Sequence, residues 1–475
     1  MLLYLKEEET YTKEDLEKKL DLVSIINKEK FLNQALTSRV LIPIFEKSKG
    51  IKEEARFEIQ KYKINFVGIL KFESVFIIVY PKYIRSIESD INNSNFKFKE
   101  IIKVIDKFNS ANIFETDKLF RQEESFFDLQ LKIWKDFIFN GIYSNEIETI
   151  ELNGEGESSW EETISGVLPY LNNGLPVYLD SYTKKRENEL NNLARQIHIA
   201  ILSEIQENFG LISDIVGLKR HFFETNGLEN LGDIDYLVRV IENELRIQNI
   251  TLKQNTLKDM IQYLGLQKMK STNSILYLYG TTSFNLVWED ICKKVYKDHL
   301  NEKISSFPTL KIQGVITNSD GSHSEINYTN REKIKDIVDK PIWSKMTENH
   351  LQVQASKGSL LDVLHLNLKN QSIDIYDGKY YDIEFVENGI KGQPGVEDVI
   401  KQYFYQLAYK KLAQLNNLSF KNTFVIPMDD FVEDKGHGVE LYKAKISYLS
   451  DLLLEDIVVI GRDCSTFFKQ YLNNN

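Results

Sequence analysis

The sequence has little cysteine and proline and no excess of positive charge. Two cysteines, Cys292 and Cys464, are too few and too far apart for a disulfide framework or a four-ligand zinc site. With 8 proline, 23 glycine and 42% hydrophobic residues among 475, the composition excludes a collagen-like repeat and a wholly disordered chain. The length predicts about three structural units.

Long hydrophobic runs are also missing. The longest strongly apolar run, residues 75–80, is far shorter than the roughly 18 residues that a membrane-spanning helix needs. The first ten residues, MLLYLKEEET, are acidic where a signal peptide needs a longer apolar core. We therefore expect a cytoplasmic protein that does not associate with membranes.

The charge balance excludes one class of nucleic-acid-binding protein. The 59 Lys and Arg residues are outnumbered by 70 Asp and Glu, and the net charge is −11. Such a chain does not coat nucleic acid through overall positive charge, although this does not exclude a local basic channel. The sequence also has no G-x-x-x-x-G-K-[ST] segment, so we expect no nucleotide hydrolysis through a P-loop in this chain.

The N-terminal and middle regions differ in their hydrophobic pattern. Residues 1–117 are rich in short β-type runs, and the runs at 63–70 and 74–80 predict a hairpin. Before them, Thr12 and Asp15 predict a helix start. Residues 118–255 have helical periodicity, which predicts an α-helical middle region. The apolar positions that carry it are Phe126, Leu129, Ile133, Phe137, Leu190, Ala194, Ile197, Ile201 and Ile205.

Residues 256–475 alternate between helix and strand patterns. Strands are predicted at 360–368 and 373–385, followed by a helix at 396–412 and an apolar run at 424–426. This alternation predicts an α/β domain with a sheet flanked by helices.

Three residues of this region form a pattern that phosphodiester hydrolysis needs. Alternation puts Asp377 and Lys379 on one face of a strand, and Asp362 opens the strand before it. A tight turn between two antiparallel strands would bring both carboxylates within reach of one cation. Magnesium takes oxygen ligands, only few of them from protein, and a nearby ammonium can position water and balance charge.

The helix predicted after Pro394 and Gly395 would lie beside these residues. Glu397 and Asp398 in its first turn suit the helix dipole. A polar side of this helix is interpreted as the lining of a cleft next to the metal, and it consists of Asp398, Gln402, Tyr405 and Tyr409. The opposite side consists of Val396, Ile400, Tyr403, Phe404, Leu407 and Ala408.

The acidic-x-Lys triplet by itself is weak evidence. It recurs at Glu17/Lys19 and Glu433/Lys435, and a solvated surface strand has the same pattern. At Asp377, the apolar strand, the second aspartate and the polar side of the helix together favour a site over a surface strand.

Several blocks resemble the LlaJI-family restriction endonucleases, which are relatives of the McrC subunits of methyl-directed systems and belong to the PD-(D/E)xK nucleases. The core block begins at Asp377-Gly378-Lys379-Tyr380-Tyr381 and continues from Pro394 through the helix to Tyr409. Two further blocks lie at residues 160–179 and 279–289, and the hairpin at 66–83 is similar to an N-terminal element shared with McrC. The resemblance touches most of the chain, from about residue 63 to 410.

The resemblance implies a role for each residue of the pattern. Asp362 becomes the first metal ligand, Asp377 the second, and Lys379 the catalytic lysine. Gln402 becomes the polar residue on the following helix, and Glu289 an acidic residue that some members place on an earlier helix. The implied fold is an α/β nuclease core of the PD-(D/E)xK type, a mixed sheet flanked by helices. An N-terminal β-rich domain (1–117) and the middle region (118–255) precede this nuclease domain (256–475).

Two positions depart from the family pattern. Leu361 stands where a proline usually precedes the first aspartate, and Gly378 stands where a small apolar residue is usual. Neither change removes a ligand, although a glycine can loosen the end of a strand.

The resemblance also implies partners. In this family a McrB-like AAA+ NTPase supplies DNA recognition and translocation, and the N-terminal β element of the nuclease subunit docks into its ring. The hairpin at residues 68–83 is then a candidate docking element, with a plain sheet hairpin as the alternative.

Other residues have simpler interpretations. We expect His365 to pack next to the site, since alternation puts it on the other strand face from Asp362, and Trp288 and Trp343 to be core anchors. The short basic clusters at 184–186 and 219–221 suit either a solvated surface or DNA phosphate contacts.

The sequence thus predicts a Mg²⁺-dependent DNA endonuclease that cleaves double-stranded DNA as part of a bacterial restriction system with an AAA+ NTPase. One alternative is a non-catalytic regulatory subunit that stimulates the NTPase. Another is a stand-alone, structure-specific DNA nuclease.

Overall fold

The computed structural model describes residues 1–46, 58–85, 91–111, 126–189, 191–210, 212–216, 219–270, 275–318, 320–345, 348–355, 361–387, 389–429, 438–452 and 454–474. The chain forms two compact units. Met1–Lys118 and Gly280–Asn475 together make the first unit, and Leu119–Tyr279 make the second. The three domain boundaries of the sequence analysis stay a prediction. None of the helices in the described ranges is both long and apolar enough to span a membrane.

The N-terminal part of the first unit contains two small sheets and three helices. Its strands are β1 (Leu2–Lys6), β2 (Thr10–Thr12), β3 (Leu41–Glu46), β4 (Glu58–Ile64), β5 (Val67–Phe72) and β6 (Val75–Tyr80). Its helices are α1 (Lys13–Leu22), α2 (Lys28–Thr37) and α3 (Ile91–Ala111). The predicted helix start is confirmed, because the Thr12 hydroxyl accepts a hydrogen bond from the Asp15 backbone N–H and so caps α1.

The predicted hairpin is present as β5 and β6, but its strands are buried. β5 begins only at Val67, since Asn65 and Phe66 separate it from β4, which pairs with β2 and β3 instead. Every residue of β6 and all but Lys71 of β5 are buried, and β1 pairs with the outer side of β6. The hairpin therefore supplies core contacts, and its role as a docking element stays a prediction.

The second unit combines helices with strands. Its helices are α4 (Phe126–Asn140), α5 (Trp160–Gly166), α6 (Leu193–Asn208), α7 (Ser213–Val216), α8 (Leu228–Leu231), α9 (Ile234–Ile247) and α10 (Thr251–Lys270). Its strands are β7 (Glu146–Leu152), β8 (Glu157–Ser158), β9 (Tyr170–Asn172), β10 (Leu175–Val177) and β11 (Tyr182–Asn188), and β12 (Tyr277–Thr281) crosses the division between the units. α4 and α6 match the predicted helices, whereas Leu190 lies outside the described residues.

The prediction of a purely α-helical middle region was wrong for residues 146–188. β11 pairs antiparallel with β7 and β8, and its sequence YTKKREN has no apolar alternation that could reveal a strand. The lysines of β11 form exposed ion pairs: Lys184 contacts Glu148 on β7 and Glu162 on α5, and Lys185 contacts Glu155 and Glu187. These pairs fit the solvated-surface interpretation of the basic cluster at 184–186.

The C-terminal part of the first unit is an α/β structure. Its strands are β13 (Gln313–Thr317), β14 (His323–Asn327), β15 (Ile342–Lys345), β16 (Glu348–Gln354), β17 (Val363–Asn367), β18 (Ser372–Gly378), β19 (Glu384–Val386), β20 (Gly389–Lys391), β21 (Ser419–Met428), β22 (Val439–Ala444) and β23 (Ile457–Asp463). Its helices are α11 (Phe284–Val295), α12 (Val396–Asn416) and α13 (Cys464–Asn473), with 3-10 turns at Ile304–Ser306, Ile334–Ile337 and Ser447–Leu452.

A five-stranded mixed sheet organises this part, in the order β17-β18-β21-β23-β22. The three central strands are parallel, and both outer strands run antiparallel to their neighbours. Ile373 and Ile375 of β18 pack against Tyr405 and Tyr409 of α12 on one face. On the other face Trp288 of α11 donates its indole N–H to a β21 carbonyl and packs on α13. The predicted mixed sheet flanked by helices is confirmed.

The two tryptophan predictions have different outcomes. Trp288 is fully buried, as expected of a core anchor. Trp343 is 73% exposed, so its prediction as a core anchor was wrong. It lies on β15, which pairs only with β16 among the described strands, opposite Val353, and the indole is not covered by other described residues.

The helix α12 faces the sheet with the side that the sequence analysis assigned to a cleft. Gln402, Tyr405 and Tyr409 are buried, and among these side chains only Asp398 is partly exposed. The opposite, more apolar side is largely solvent-exposed, at Val396, Ile400, Phe404 and Leu407. The cleft interpretation was therefore wrong for the two tyrosines, whose rings fill the core between helix and sheet.

Candidate active site

The strands β17 and β18 bring Asp362 and Asp377 together. Val363 pairs with Tyr376 in the antiparallel register, which places Asp362, one residue earlier, opposite Asp377. The backbone N–H of Gly378 donates to Asp362 Oδ2 over 3.2 Å, and this bond holds the first carboxylate at the end of the second strand. The two aspartates predicted as metal ligands thus lie side by side.

The surroundings of Asp377 disfavour its charged form. Burial, a hydrogen bond to Asp362 and the negative charge of that neighbour together raise the pKa of the Asp377 carboxyl to about 7, while Lys379 opposes the rise. A divalent cation held by the two carboxylates would supply the positive charge that favours the ionised form.

Lys379 leaves the end of β18 and points its ammonium at two carboxylates. Its backbone N–H donates to the Val425 carbonyl at 2.9 Å, which holds its backbone against β21. Its Nζ lies 3.0 Å from Asp377 Oδ2 and 2.7 Å from Asp398 Oδ1. Burial alone would lower the pKa of Lys379, but the two carboxylates outweigh it and raise the pKa, so the side chain stays charged.

Gln402 lies on α12 one turn after Asp398 and is completely buried. Its Nε2 makes a long 3.4 Å contact to the carbonyl of Ile375, two residues before Asp377. Its Oε1 has no hydrogen-bond donor among the described residues. A buried amide oxygen without a donor, next to the strand that carries the carboxylates, suits a water molecule or a metal-bound water.

Glu289 comes near the pair from α11 without completing a three-carboxylate cluster. Burial raises the pKa of Glu289, the charge of Asp362 adds to the rise, and Lys293, Lys379 and Lys401 oppose it. Within the described ranges, no group of three or more His, Cys, Asp or Glu side chains is arranged to hold a metal ion. Two carboxylates with water completing the shell is a donor set that Mg²⁺ accepts, so Asp362 and Asp377 fit this metal.

Gly378, between Asp377 and Lys379, allows α11 to approach the strand end. A Cβ atom at this position would lie 3.1 Å from Cys292 Sγ and 3.3 Å from the Cα of Glu289. A side chain at this position would require Cys292 or the α11 backbone to shift slightly, so the close approach of α11 explains the glycine.

Asp398 joins this cluster: its place in the lining of the cleft was predicted from the polar side of the helix, but its contact with Lys379 was not. Its second oxygen, Oδ2, accepts the Gly395 backbone N–H at 3.1 Å, which caps the start of α12. The available signal was the spacing of four residues between Asp398 and Gln402 on the polar side of the helix.

His365 packs on the ring of His299, and its Nδ1 lies near the Lys297 carbonyl.

The comparison with protein families matches the model described as the LlaJI restriction endonuclease over residues 66–314 and 323–447. The chain belongs to the LlaJI restriction endonuclease family. The matched segments contain Glu289, Asp362, Asp377, Lys379 and Gln402, so the whole candidate site lies within the LlaJI-family part of the chain.

Similar proteins are other components of restriction systems. The Type II restriction enzyme BsuMI component YdjA of Bacillus subtilis (strain 168) is 26% identical over 374 residues, which cover 76% of this chain and 72% of the relative. Among solved structures, McrC bound to McrB AAA+ hexamers of Thermococcus gammatolerans matches at 13% identity over 100% of this chain and 99% of that chain, with a TM-score of 0.35. The McrBC complex of the same organism matches over 56% of this chain and 80% of that chain, at 13% identity and a TM-score of 0.22.

Proposed function

We propose that this LlaJI-family chain is the Mg²⁺-dependent, DNA-cleaving subunit of a restriction system and that it works with an AAA+ NTPase. The observation that carries the proposal is the contact of Asp362, Asp377 and Lys379 at the ends of two paired strands. Two adjacent carboxylates and an ammonium on a mixed sheet are the parts of a PD-(D/E)xK nuclease core. Membership in a restriction endonuclease family supports the same chemistry.

Each residue contributes to phosphodiester hydrolysis in its own way. Asp362 and Asp377 would hold Mg²⁺, which when bound draws charge from the scissile phosphate and lowers the pKa of water. The Lys379 ammonium orients the attacking water and stabilises the negative charge that builds up on the phosphate. The Oε1 of Gln402, which accepts no hydrogen bond from the described residues, can accept one from a water molecule near the carboxylates. Water then forms a bond to phosphorus as the bond to the 3′ oxygen breaks.

A separate NTPase accounts for two features of the chain. The sequence contains no P-loop, so any NTP-driven movement on DNA needs another protein. The net charge of −11 also suits a subunit that obtains most of its DNA affinity from a partner.

An exposed apolar surface in the second unit is a better docking element than the buried β5–β6 hairpin. We call it the β9–β10 patch, and it consists of Trp160, Ile164, Leu168, Tyr170, Leu171, Leu175, Val177 and Leu179, each more than a third exposed. β9 and β10 pair only with each other among the described strands, so both faces of this hairpin meet solvent. Tyr170 pairs with Val177 across this hairpin, and neighbouring large apolar side chains that are exposed to solvent are typical of a protein interface.

Changing Leu171 and Leu175 together to aspartate is expected to reduce NTPase-dependent DNA cleavage at least about 10-fold. Each leucine loses roughly 1.5–3 kcal/mol of burial at the interface, while the isolated chain loses no core contact. Binding of the chain to its NTPase by analytical ultracentrifugation should fall in parallel.

The matched control is Leu22→Asp, because Leu22 is 79% exposed on α1 in the other unit. It should leave cleavage and NTPase binding unchanged. Equal binding by the double variant and the wild type would remove the β9–β10 patch as the docking surface.

The experiment that tests the proposed function is plasmid cleavage by the purified chain with and without the AAA+ NTPase of its restriction system. Cleavage is expected with Mg²⁺, NTPase and NTP together. Addition of EDTA should abolish it, and an excess of Mg²⁺ should restore it. Cleavage without the NTPase would support the stand-alone nuclease, whereas NTPase stimulation without any cleavage would support the regulatory subunit.

A further inference from the structure

We propose that Asp398 is the positioning residue for Lys379: it keeps the ammonium in place when a metal ion occupies Asp377. This inference rests on the proposed function, because it concerns the same site. The sequence pattern placed Asp398 in the lining of the cleft, and the inference gives it a specific contact and task there.

The two carboxylates around Lys379 have different roles. The Lys379 ammonium touches Asp377 at 3.0 Å and Asp398 at 2.7 Å, and only 12% of its side chain is exposed. Asp377 is shared, since its carboxylate also faces Asp362 and would hold Mg²⁺. A bound divalent cation weakens the attraction of Asp377 for the ammonium and repels the ammonium directly. Asp398 then remains the stronger anchor.

Asp398 is held rigidly at the start of α12. One of its oxygens binds Lys379, and the other accepts the backbone N–H of Gly395 at 3.1 Å. The carboxylate is therefore fixed at two points, at the first turn of a 21-residue helix whose N-terminal end favours negative charge. The same helix carries Gln402 one turn later, so a single rigid element places both groups beside the strand ends.

The charges in direct contact with Lys379 lead to the same conclusion. Asp377 and Asp398 both contact its ammonium. When a divalent cation binds at Asp362 and Asp377, removal of Asp398 takes away one negative charge next to the ammonium, which weakens its attachment to the site.

The test is a double-mutant cycle between Asp398 and Lys379, measured as the rate constant of plasmid cleavage at saturating Mg²⁺, NTPase and NTP. Asp398→Asn keeps an oxygen that can accept the Gly395 N–H but loses the charge. It should lower the rate constant about 10- to 100-fold, and Asp398→Glu should restore part of the loss. In a Lys379→Met background, Asp398→Asn should cause no further loss, because its effect passes through the lysine.

The control is Glu397→Gln, which removes the exposed neighbouring carboxylate of the same helical turn and should leave the rate constant unchanged. The inference would be overturned if the two single losses multiplied in the double variant, or if Asp398→Asn cleaved DNA at the wild-type rate. In either case an inactive Lys379→Met variant would still support the proposed function. A wild-type chain that never cleaves DNA would overturn both.

A second readout does not depend on cleavage. In Asp398→Asn the ammonium has only Asp377 as an anchor, and it should compete there with the metal. The Kd for Mg²⁺ from isothermal titration calorimetry is therefore expected to rise about 3- to 10-fold relative to the wild type and Glu397→Gln. An unchanged Kd would contradict the role of Asp398 as an anchor of Lys379.

Discussion

Asp377→Asn is expected to reduce DNA cleavage by at least about 10³-fold, because the site loses one of its two anionic metal ligands and the stabilisation that the metal supplies. Asparagine has nearly the same volume and keeps one oxygen, so the effect reports on charge. The measurement is the rate of plasmid nicking and linearisation with Mg²⁺ and the NTPase, together with the Mg²⁺ Kd, which should rise in parallel.

This substitution should not unfold the chain. Burial raises the pKa of Asp377 to about 7, so the fold disfavours the charge that asparagine removes. The free energy of unfolding without metal is therefore expected to stay constant or to rise at neutral pH. The matched control is Asp374→Asn, on the same strand: Asp374 is equally buried but points to the opposite face, where it accepts the Ser372 hydroxyl. Near-normal cleavage by Asp377→Asn would mean that the metal site lies elsewhere.

Lys379→Met is expected to reduce cleavage about 10²- to 10³-fold while the chain still stimulates its NTPase. Methionine preserves much of the length of the side chain but cannot donate to water or stabilise charge on the phosphate. Because the β9–β10 patch belongs to the other unit, NTPase activation should be unaffected. The measurement pairs the cleavage rate with the NTPase rate of the same sample.

This pair of rates separates the enzyme from its main alternative, the non-catalytic regulatory subunit. Loss of cleavage with intact NTPase stimulation supports a catalytic subunit. Unchanged cleavage would support a scaffold whose lysine has only a structural role. Lys421→Met, at an exposed lysine on β21 of the same sheet, is the control for the removal of a positive charge and should behave as wild type.

The core of the candidate site could be predicted from the sequence because its geometry is local. Asp362 precedes the first strand of a hairpin and Asp377 lies near the end of its second strand, so the two meet at the open end of the hairpin. Strand alternation alone puts Asp377 and Lys379 on one face. Asp398 and Gly378 were harder to interpret. The contact of Asp398 with Lys379 depends on where α12 starts relative to the strand end, and the need for Gly378 depends on α11, which lies more than 80 residues earlier.

Periodicity was less reliable where the two sides of an element differ little in polarity. On α12 the tyrosines at 405 and 409 were counted with the polar side, yet they fill the core, while Val396 and Phe404 face solvent. β11 was missed because most of its residues are exposed and it is held by backbone pairing, which leaves no apolar alternation. Both errors have the same origin, since a pattern of residue types does not say which neighbour supplies the contact.

The sequence by itself determined the class of protein, the family resemblance, the strand–turn–strand that joins the two aspartates, and the helix that follows. These features depend on residues close together in the chain, whose conformational preferences for strand, turn or helix do not require contacts with distant segments. Only the tertiary structure decided that 1–118 and 280–475 form one unit, that β5 and β6 are buried, and that Asp398 reaches Lys379. Such contacts depend on long-range packing, in which many weak interactions between distant segments together select one arrangement.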